Sequence, residues 1–367
     1  MRYGSVCSGI EAATVAWRRL GWECAFVSEI EPFASAVLKE RLPTVPNLGD
    51  FTKIGRGDYD GEIDLLVGGT PCQSYSYAGR RGGIADPRGS LAIEFVRLAE
   101  RTDVRWLAWE NVVGVLTSGG GRDFAAFLSA LAGWDVQPPR GGWRNAGIVT
   151  GAPGRFGVSW RVLDAQYTRV PEFPRAVPQR RRRVILVGCR GGWESAAEVL
   201  LGGELCGGFD PPRREARLRL ASDDGAGVEA RPAPECFPID MMNLEGRTGN
   251  LKTKCYDEAG AAMYTLRSSH VNVVCTPAQL RRLLPVESES LMGFPPGWTD
   301  IPWKGKEHAA DGHRHHACGN SMCVNVMRWV GERIDAVESG KEFEDYGSVK
   351  DRGNSGEPPP LAEEGGG

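Results

Sequence analysis

The chain has 367 residues, 41% of them hydrophobic and 25% charged, with a formal net charge of −3. That composition is globular and excludes a disordered or collagen-like chain. No apolar run approaches the roughly 18 to 20 residues that a membrane span needs, and Met1 to Gly9 lacks the pattern of a signal peptide. The length allows one large domain plus a smaller one, and ten scattered cysteines point to reduced thiols in a cytoplasmic protein. Charge is uneven along the chain. Nine acids and three bases fall in residues 335–367, which leaves residues 1–334 at +3, and Arg175 to Leu220 holds ten arginines against five acids. A basic stretch of this kind suits either phosphates or a solvated face.

In chain order, Tyr3 to Cys7 reads as a strand, Ala12 to Leu20 as a helix and Ala25 to Ser28 as the next strand. Pro32 then stands at the first position of a helix running to Leu42. Further strands are expected at Leu65 to Val67, Trp106 to Trp109 and Val184 to Val187, with helices at Ser90 to Ala99 and Phe124 to Leu131 between them. This alternation specifies an α/β fold, a doubly wound and mostly parallel sheet over residues 1–190. From 191 to 314 the glycine, proline and arginine clusters, with short pieces at Ala262 to Leu266 and Val271 to Cys275, predict a second, smaller, loop-rich domain. Helical periodicity at Ser321 to Val337 lets residues 315–337 complete the first domain, and residues 338–367 have the acidic composition of a disordered tail.

Four segments carry chemistry. Ser8-Gly9-Ile10-Glu11 follows a strand and opens a helix, and Glu29 ends the next strand 20 positions after Gly9. That pattern suits a nucleoside-containing cofactor, with the glycine admitting the ligand to the backbone and the carboxylate accepting from ribose hydroxyls. The full G-x-G-x-x-G fingerprint is absent. Gly68-Gly69-Thr70-Pro71-Cys72-Gln73 leaves a strand at the carboxyl edge of the sheet, where a thiol could serve as a nucleophile or simply be a buried structural cysteine. Trp109-Glu110-Asn111-Val112 sets a carboxylate at another strand end, fit for a proton donor or for a plain sheet-edge acid. Gln179 to Arg183 runs into a strand, where alternate residues face opposite sides, so Arg181 and Arg183 point together while Arg180 and Arg182 reach phosphate or solvent.

Taken in this order, the segments resemble the cytosine-5 DNA methyltransferases over nearly the whole chain. Cys7-Ser8-Gly9-Ile10 is similar to that family's cofactor turn, Glu29-Ile30 to its ribose contact, Asp50-Phe51 to its adenine contact and Pro71-Cys72-Gln73 to its nucleophile motif. Glu110-Asn111-Val112 resembles its Glu-Asn-Val motif and Gln179 to Arg183 its Gln-Arg-x-Arg motif. Arg282 to Pro285 through Met292 to Pro295 resembles the segment bracing the recognition domain, and Gly319-Asn320-Ser321 the last motif, which returns to the cofactor pocket. Cys7 stands where the family has an aromatic residue, Glu11 and Ala12 replace glycines, and Thr168 to Ala176 is an insertion expected to form a surface loop.

The resemblance implies methyl transfer from S-adenosyl-L-methionine to carbon 5 of a flipped cytosine in double-stranded DNA, by a monomer. Cys72, Glu110, Arg181 and Arg183 would be catalytic; Ser8, Gly9, Ile10, Glu29, Ile30, Asp50, Phe51, Pro71, Leu91, Asn320, Ser321 and Met322 would hold the cofactor. Gln73, Ser76, Arg80, Arg180, Thr265 and Leu266 would meet DNA. The family's transfer-RNA branch resembles Cys-Phe-Thr in its recognition region, whereas here Cys236-Phe237 precedes Pro238. A silent DNA-binding module and a nicotinamide oxidoreductase are the other readings; the intact set of Cys72, Glu110 and Arg183 opposes the first, and a test of S-adenosylmethionine binding separates the second. No metal is expected, since His308, His313, His315, His316, Cys318 and Cys323 match no standard ligand spacing and read as exposed loop residues.

Overall fold

A computed structural model describes residues 1–71, 91–202, 237–240, 272–276 and 279–341. A seven-stranded sheet forms from β1 (Arg2–Val6), β2 (Glu23–Ser28), β3 (Leu65–Gly68), β4 (Trp106–Val112), β5 (Ala146–Val149), β6 (Gly157–Asp164) and β7 (Arg182–Cys189), in the order β2-β1-β3-β4-β7-β6-β5. The first four neighbours run parallel, and β7 pairs antiparallel with both β4 and β6, as β5 does with β6. The expected α/β sheet is therefore present, with an antiparallel flank. The edge strand β5 and its partner β6 had no counterpart in the sequence reading.

Period-two alternation divides the core. Leu65, Val67, Trp106, Ala108, Ile185 and Val187 face one layer, while Leu66, Leu107, Trp109, Val184 and Leu186 face the other. The first layer holds α1 (Ala12–Trp17), α2 (Pro32–Arg41), α5 (Trp193–Leu201) and α8 (Val324–Ser339), and the second holds α3 (Leu91–Thr102) and α4 (Arg122–Ala132). Strand β1 has β2 on one side and β3 on the other. The chain thus reverses its winding between β1 and β3, and a crevice opens at their carboxyl ends, where open α/β sheets bind ligands.

Two further helices, α6 (Pro285–Leu291) and α7 (Asp311–Asn320), lie ahead of α8. Leu283, Leu291, Met292, Phe294, Trp298 and Ile301 join the core beneath α1, so the stretch after residue 282 packs on the sheet layer. A separate antiparallel sheet contains β8 (Phe237–Asp240), β9 (Asn272–Thr276) and β10 (Gln279–Arg282). The Thr168 to Ala176 insertion is the expected loop, anchored at two buried residues, Thr168 and Val170, and by Glu172, which accepts from Arg328 at 2.7 Å. This partly buried ion pair ties it to α8. Among the described residues no helix is long and apolar enough to cross a membrane.

Candidate active site

The turn after β1 stands at the crevice. Cys7, Gly9 and Glu11 have φ values of 49°, 56° and 63°, a run of left-handed backbone that curls the chain tightly before α1. Ser8 is buried and fastens the turn to β2, donating to the Ser28 carbonyl through its amide at 3.2 Å and accepting from the Ser28 amide at 3.1 Å. Trp298 Nε1 donates to the Ile10 carbonyl at 2.9 Å, so the later bracing segment holds the turn from below. Arg41 secures that segment in turn, donating to the carbonyls of Gly297 at 2.6 Å and Trp298 at 2.8 Å. The Ile10 side chain is fully buried and that of Phe51 nearly so.

Glu29 follows β2 directly and holds three amides: Gly9 N at 2.7 Å on Oε2, and Ile30 N at 2.9 Å and Glu31 N at 2.8 Å on Oε1. Ile30 beside it is an exposed apolar residue, 74% accessible. Asp50 caps the short helical turn Phe51–Lys53, accepting from Thr52 N at 3.1 Å and Thr52 Oγ1 at 2.8 Å, and these hydrogen bonds hold its carboxyl below the usual range. Burial, followed by the charges of Glu29 and Asp50, pushes the Cys7 thiol up to about 12. The crevice is an electronegative site.

At the end of β3 the backbone is clamped from β4. Trp109 Nε1 donates to Thr70 Oγ1 at 3.0 Å, and Asn111 Nδ2 donates to the Thr70 carbonyl at 2.8 Å. Pro71 follows, exposed. Gly69 is closely approached here, since a Cβ would lie 3.2 Å from Met322 Cε and 3.4 Å from the Glu110 carbonyl. Cys72, Gln73, Ser76 and Arg80 lie outside the described residues, as do Thr265 and Leu266.

Glu110 is met by Arg183, with Nε 3.0 Å from Oε1, and both side chains are largely buried. On the same side of β7, Arg181 donates to the carbonyls of Gly319 at 3.1 Å and Ser321 at 2.5 Å, and its amide donates to Asp164 Oδ1 at 2.9 Å. Burial lowers the Arg181 guanidinium to about 10, which leaves it a cation at neutral pH. Arg180 and Arg182 instead line a cleft of about 680 Å³ with Asp164, Gln166, Tyr167, Val113 and Val162. Arg181 and Arg183 thus lie apart from Arg180 and Arg182 as expected, although β7 begins only at Arg182 and the segment ahead of it is not strand.

Arg181 joins β7 to the turn after α7. Ser321 is buried there, Asn320 exposed and Met322 half-buried against Gly69, while Leu91 opens α3 half-buried. The histidines of this region sit on or beside α7 rather than in a loop, as His315 Nδ1 lies 2.9 Å from Ser288 Oγ and His313 stacks on Phe33 at 5.4 Å. What fixes α7 is the buried Glu289, which accepts from Arg314 at 3.0 Å and from the amides of Gly297 and Thr299 at 2.6 and 2.9 Å. Thr70, Asp164, Glu289 and Trp298 are site-building residues that the sequence reading passed over. Of these, only Thr70 had a signal, its place inside the Pro71-Cys72 motif.

Residues 1–200, more than half of the chain, match the sequence profile of the C-5 cytosine-specific DNA methylases. The chain belongs to that family. A protein of Escherichia phage P1, named a DNA N-6-adenine-methyltransferase, is 33% identical over 90% of this methylase, which spans 61% of the phage protein's length. The type II methyltransferase M.Eco47II of Escherichia coli is 25% identical over 90% of this methylase and 76% of its own length. In three dimensions it is similar to a putative DNA modification methyltransferase from an E. coli prophage, with a TM-score of 0.56, 15% identity and coverage of 92% of this methylase and 99% of the other chain. It is also similar to Spodoptera frugiperda DNMT2, with a TM-score of 0.55, 15% identity and coverage of 91% and 99%. These two likenesses establish the fold.

The methyl donor of this family is S-adenosyl-L-methionine. The crevice of this methylase fits it. A Cβ on Gly9 would meet nothing within 4 Å, so the turn is open to a ligand, and exposed Ile30 offers an apolar contact next to it. The carboxylates of Glu29 and Asp50 suit hydroxyl donors and a cation.

Proposed function

We propose that this methylase transfers a methyl group to carbon 5 of cytosine at a specific short sequence in double-stranded DNA, with Cys72 as a covalent nucleophile. One observation carries the reading: Glu110, Arg183 and Arg181 converge on the strand end that leads into Pro71-Cys72. Carbon 5 of cytosine is a weak nucleophile. Addition of the Cys72 thiolate to carbon 6 breaks the 5,6 double bond and moves its electron pair onto carbon 5, which can then attack an electrophilic methyl group. When bound, S-adenosyl-L-methionine supplies that methyl group.

Glu110 is set to interact with N3, and its ion pair with Arg183 fixes the carboxyl group's direction; Arg183 extends to O2 as charge shifts onto the ring. Arg181 acts as a buried strut and a fixed positive charge. After transfer the carbon 5 proton leaves and Cys72 is expelled. Carbon 6 is stacked inside a duplex, so the base has to be flipped out, at a cost of a few kcal/mol. Cofactor contacts fall to Ser8, Gly9, Ile10, Glu29, Ile30, Asp50, Phe51, Pro71, Leu91, Asn320, Ser321 and Met322. In Ile10 and Phe51, whose side chains are buried, the backbone does most of this. DNA contacts fall to Gln73, Ser76, Arg80, Arg180, Thr265 and Leu266. The catalytic domain expected over residues 1–190 and 315–337 takes in α5 and residues 283–301 as well, which pack in the same sheet layer, so the recognition domain expected over 191–314 narrows to the stretch between residues 202 and 283, in a monomeric, cytoplasmic enzyme.

The name of the phage P1 relative favours a second reading, methylation of the adenine N6 amine. An exocyclic amine is itself the nucleophile and needs no thiol adduct. DNA from a methylation-free host expressing the chain decides between them by nucleoside mass spectrometry and bisulfite sequencing. We expect 5-methylcytosine in one sequence context, absent with Cys72→Ala. A duplex carrying 5-fluorocytosine at that site should trap a denaturation-resistant complex, since fluorine cannot leave as a cation. N6-methyladenine without 5-methylcytosine would overturn the reading.

A further inference from the structure

Glu11 occupies a position that the mechanism does not use. Its φ of 63° and ψ of 70° lie in the left-handed region, where glycine is at ease and a side chain is strained. Its side chain is 1% exposed, yet every neighbour it meets is a donor. Ser5 Oγ donates to Oε2 at 2.6 Å, while Thr14 N and Thr14 Oγ1 donate to Oε1 at 3.1 and 3.3 Å. Tyr3 OH lies 2.7 Å from Thr14 Oγ1, and the Glu11 amide donates to the Ser8 carbonyl at 2.9 Å. One carboxyl group thus ties β1, the cofactor turn and the start of α1 together. Its carboxyl is the N-cap of α1, and that cap is the local gain set against the strain and burial of the residue.

We propose, on the reading that this turn holds S-adenosylmethionine, that Glu11 is a positioning residue which struts the Ser8-Gly9-Ile10 turn and places a buried negative charge beneath it. The enzyme thereby favours the cationic methyl donor over its uncharged-sulfur product. A sulfonium carries one positive charge that the thioether product lacks, and a carboxylate in a low-dielectric setting distinguishes the two. Glu29 and Asp50 carry the same sign of charge near the turn, as their effect on Cys7 shows. The other titratable groups facing Glu11 are Tyr3 from β1, pushed up by burial and then by Cys24 and Glu11, and Cys24 from β2, pushed up by burial and then by Glu11, so both are neutral. From α8, Arg328 reaches only the Ala16 carbonyl, on the far turn of α1. Burial raises the Glu11 carboxyl to about 7, against the pull of its donors, so its charge is lost just below neutral pH.

The test measures dissociation constants for S-adenosylmethionine and S-adenosylhomocysteine by calorimetry, between pH 6 and 8.5, for wild type, Glu11→Gln and Glu11→Gly. Wild-type binding of either ligand stands as the check on the cofactor reading itself. We expect wild type at pH 8 to prefer the donor, and Glu11→Gln to reduce that preference by about fivefold or more. The wild-type preference should shrink below pH 7, where the carboxyl takes up its proton, relative to that of Glu11→Gln at the same pH. The amino group titrates lower in the donor, beside its sulfonium, than in the product, and dividing the wild-type ratio by that of Glu11→Gln at each pH removes this contribution. Glu11→Gly should weaken both ligands although glycine suits the backbone. A donor-to-product ratio unchanged in Glu11→Gln, or a wild-type ratio that runs parallel to that of Glu11→Gln across pH, would overturn the proposal, as would tighter binding by Glu11→Gly.

Discussion

Glu29 shows how a single carboxylate is shared between fold and ligand. Two amides occupy Oε1 and one occupies Oε2, which leaves Oε2 one lone pair for a hydroxyl group. The expected grip on both ribose hydroxyls therefore needs one turn amide to give way. The cysteines separate by environment in the same fashion. Burial pushes the thiols of Cys7 and Cys323 up to about 12 and about 11, and raises those of Cys24 and Cys318 strongly. A thiol reacts as its thiolate, and raising the pKa keeps it protonated until the pH climbs past the new value. At pH 8 these four should resist iodoacetamide in the native protein, while Cys72 is alkylated with loss of methyl transfer. Peptide mapping checks this, and alkylation of Cys7 or Cys323 at the rate of Cys72 would contradict the protonation order.

At the scale of elements, the contact of α1 with α8 depends on one absent side chain. A Cβ on Gly331 would lie 2.2 Å from Trp17 Nε1 and 2.4 Å from Trp17 Cδ1, and Trp17 Nε1 is fixed by its 2.7 Å bond to the Met327 carbonyl. Gly331→Ala gains up to about 1 kcal/mol of helix propensity. It also overpacks a fully buried indole, at about 1–3 kcal/mol. Net destabilisation is expected in a denaturant titration, and a more stable variant would refute it. Elements with apolar alternation, such as β1, β3 and β4, were legible from sequence because both layers of the core demand it. Strand β5 was not, since Ala146-Gly147-Ile148-Val149 is short, largely exposed and includes a glycine against Trp160. Helix α7 was hidden for a different reason: Asp311 to Asn320 is rich in histidine and glycine, weak helix formers, and the Glu289–Arg314 pair supplies from outside what propensity lacks. The pairing of Arg181 with Arg183 was legible from two-residue alternation although Arg181 precedes β7, and Glu110 was singled out by its place at a strand end and by its motif. Glu289 and Trp298 were not, because their partners lie far away in sequence.

For the whole molecule the decisive fact is that the chain closes its sheet layer with its later residues. Helix α8 buries Val324, Val326, Met327, Trp329, Val330 and Ile334 in the layer that holds α1 and α5. Its far end is also tied down: Arg333 donates to the carbonyls of Glu198 at 2.8 Å and Gly202 at 2.7 Å, and Glu338 accepts from Trp106 Nε1 at 2.5 Å and lies 3.1 Å from Arg105. Gly340 ends the helix in a left-handed cap, with φ of 61°. These contacts set where the chain may be cut. A stop after Lys341 removes none of them, so thermal stability should stay within about 0.5 kcal/mol of the full chain, with S-adenosylmethionine affinity unchanged. A stop after Met322 keeps every catalytic and cofactor residue named above yet strips the layer of six buried apolar side chains, together about 9–18 kcal/mol, on the scale of the whole 5–15 kcal/mol a domain has in reserve. That shorter chain should fail to fold and to bind cofactor. Thermal unfolding and calorimetry on the two truncations test this. A cooperative transition in the shorter chain would mean that the sheet layer closes without α8, and loss of cofactor binding in the longer one would assign residues 342–367 a part in the site.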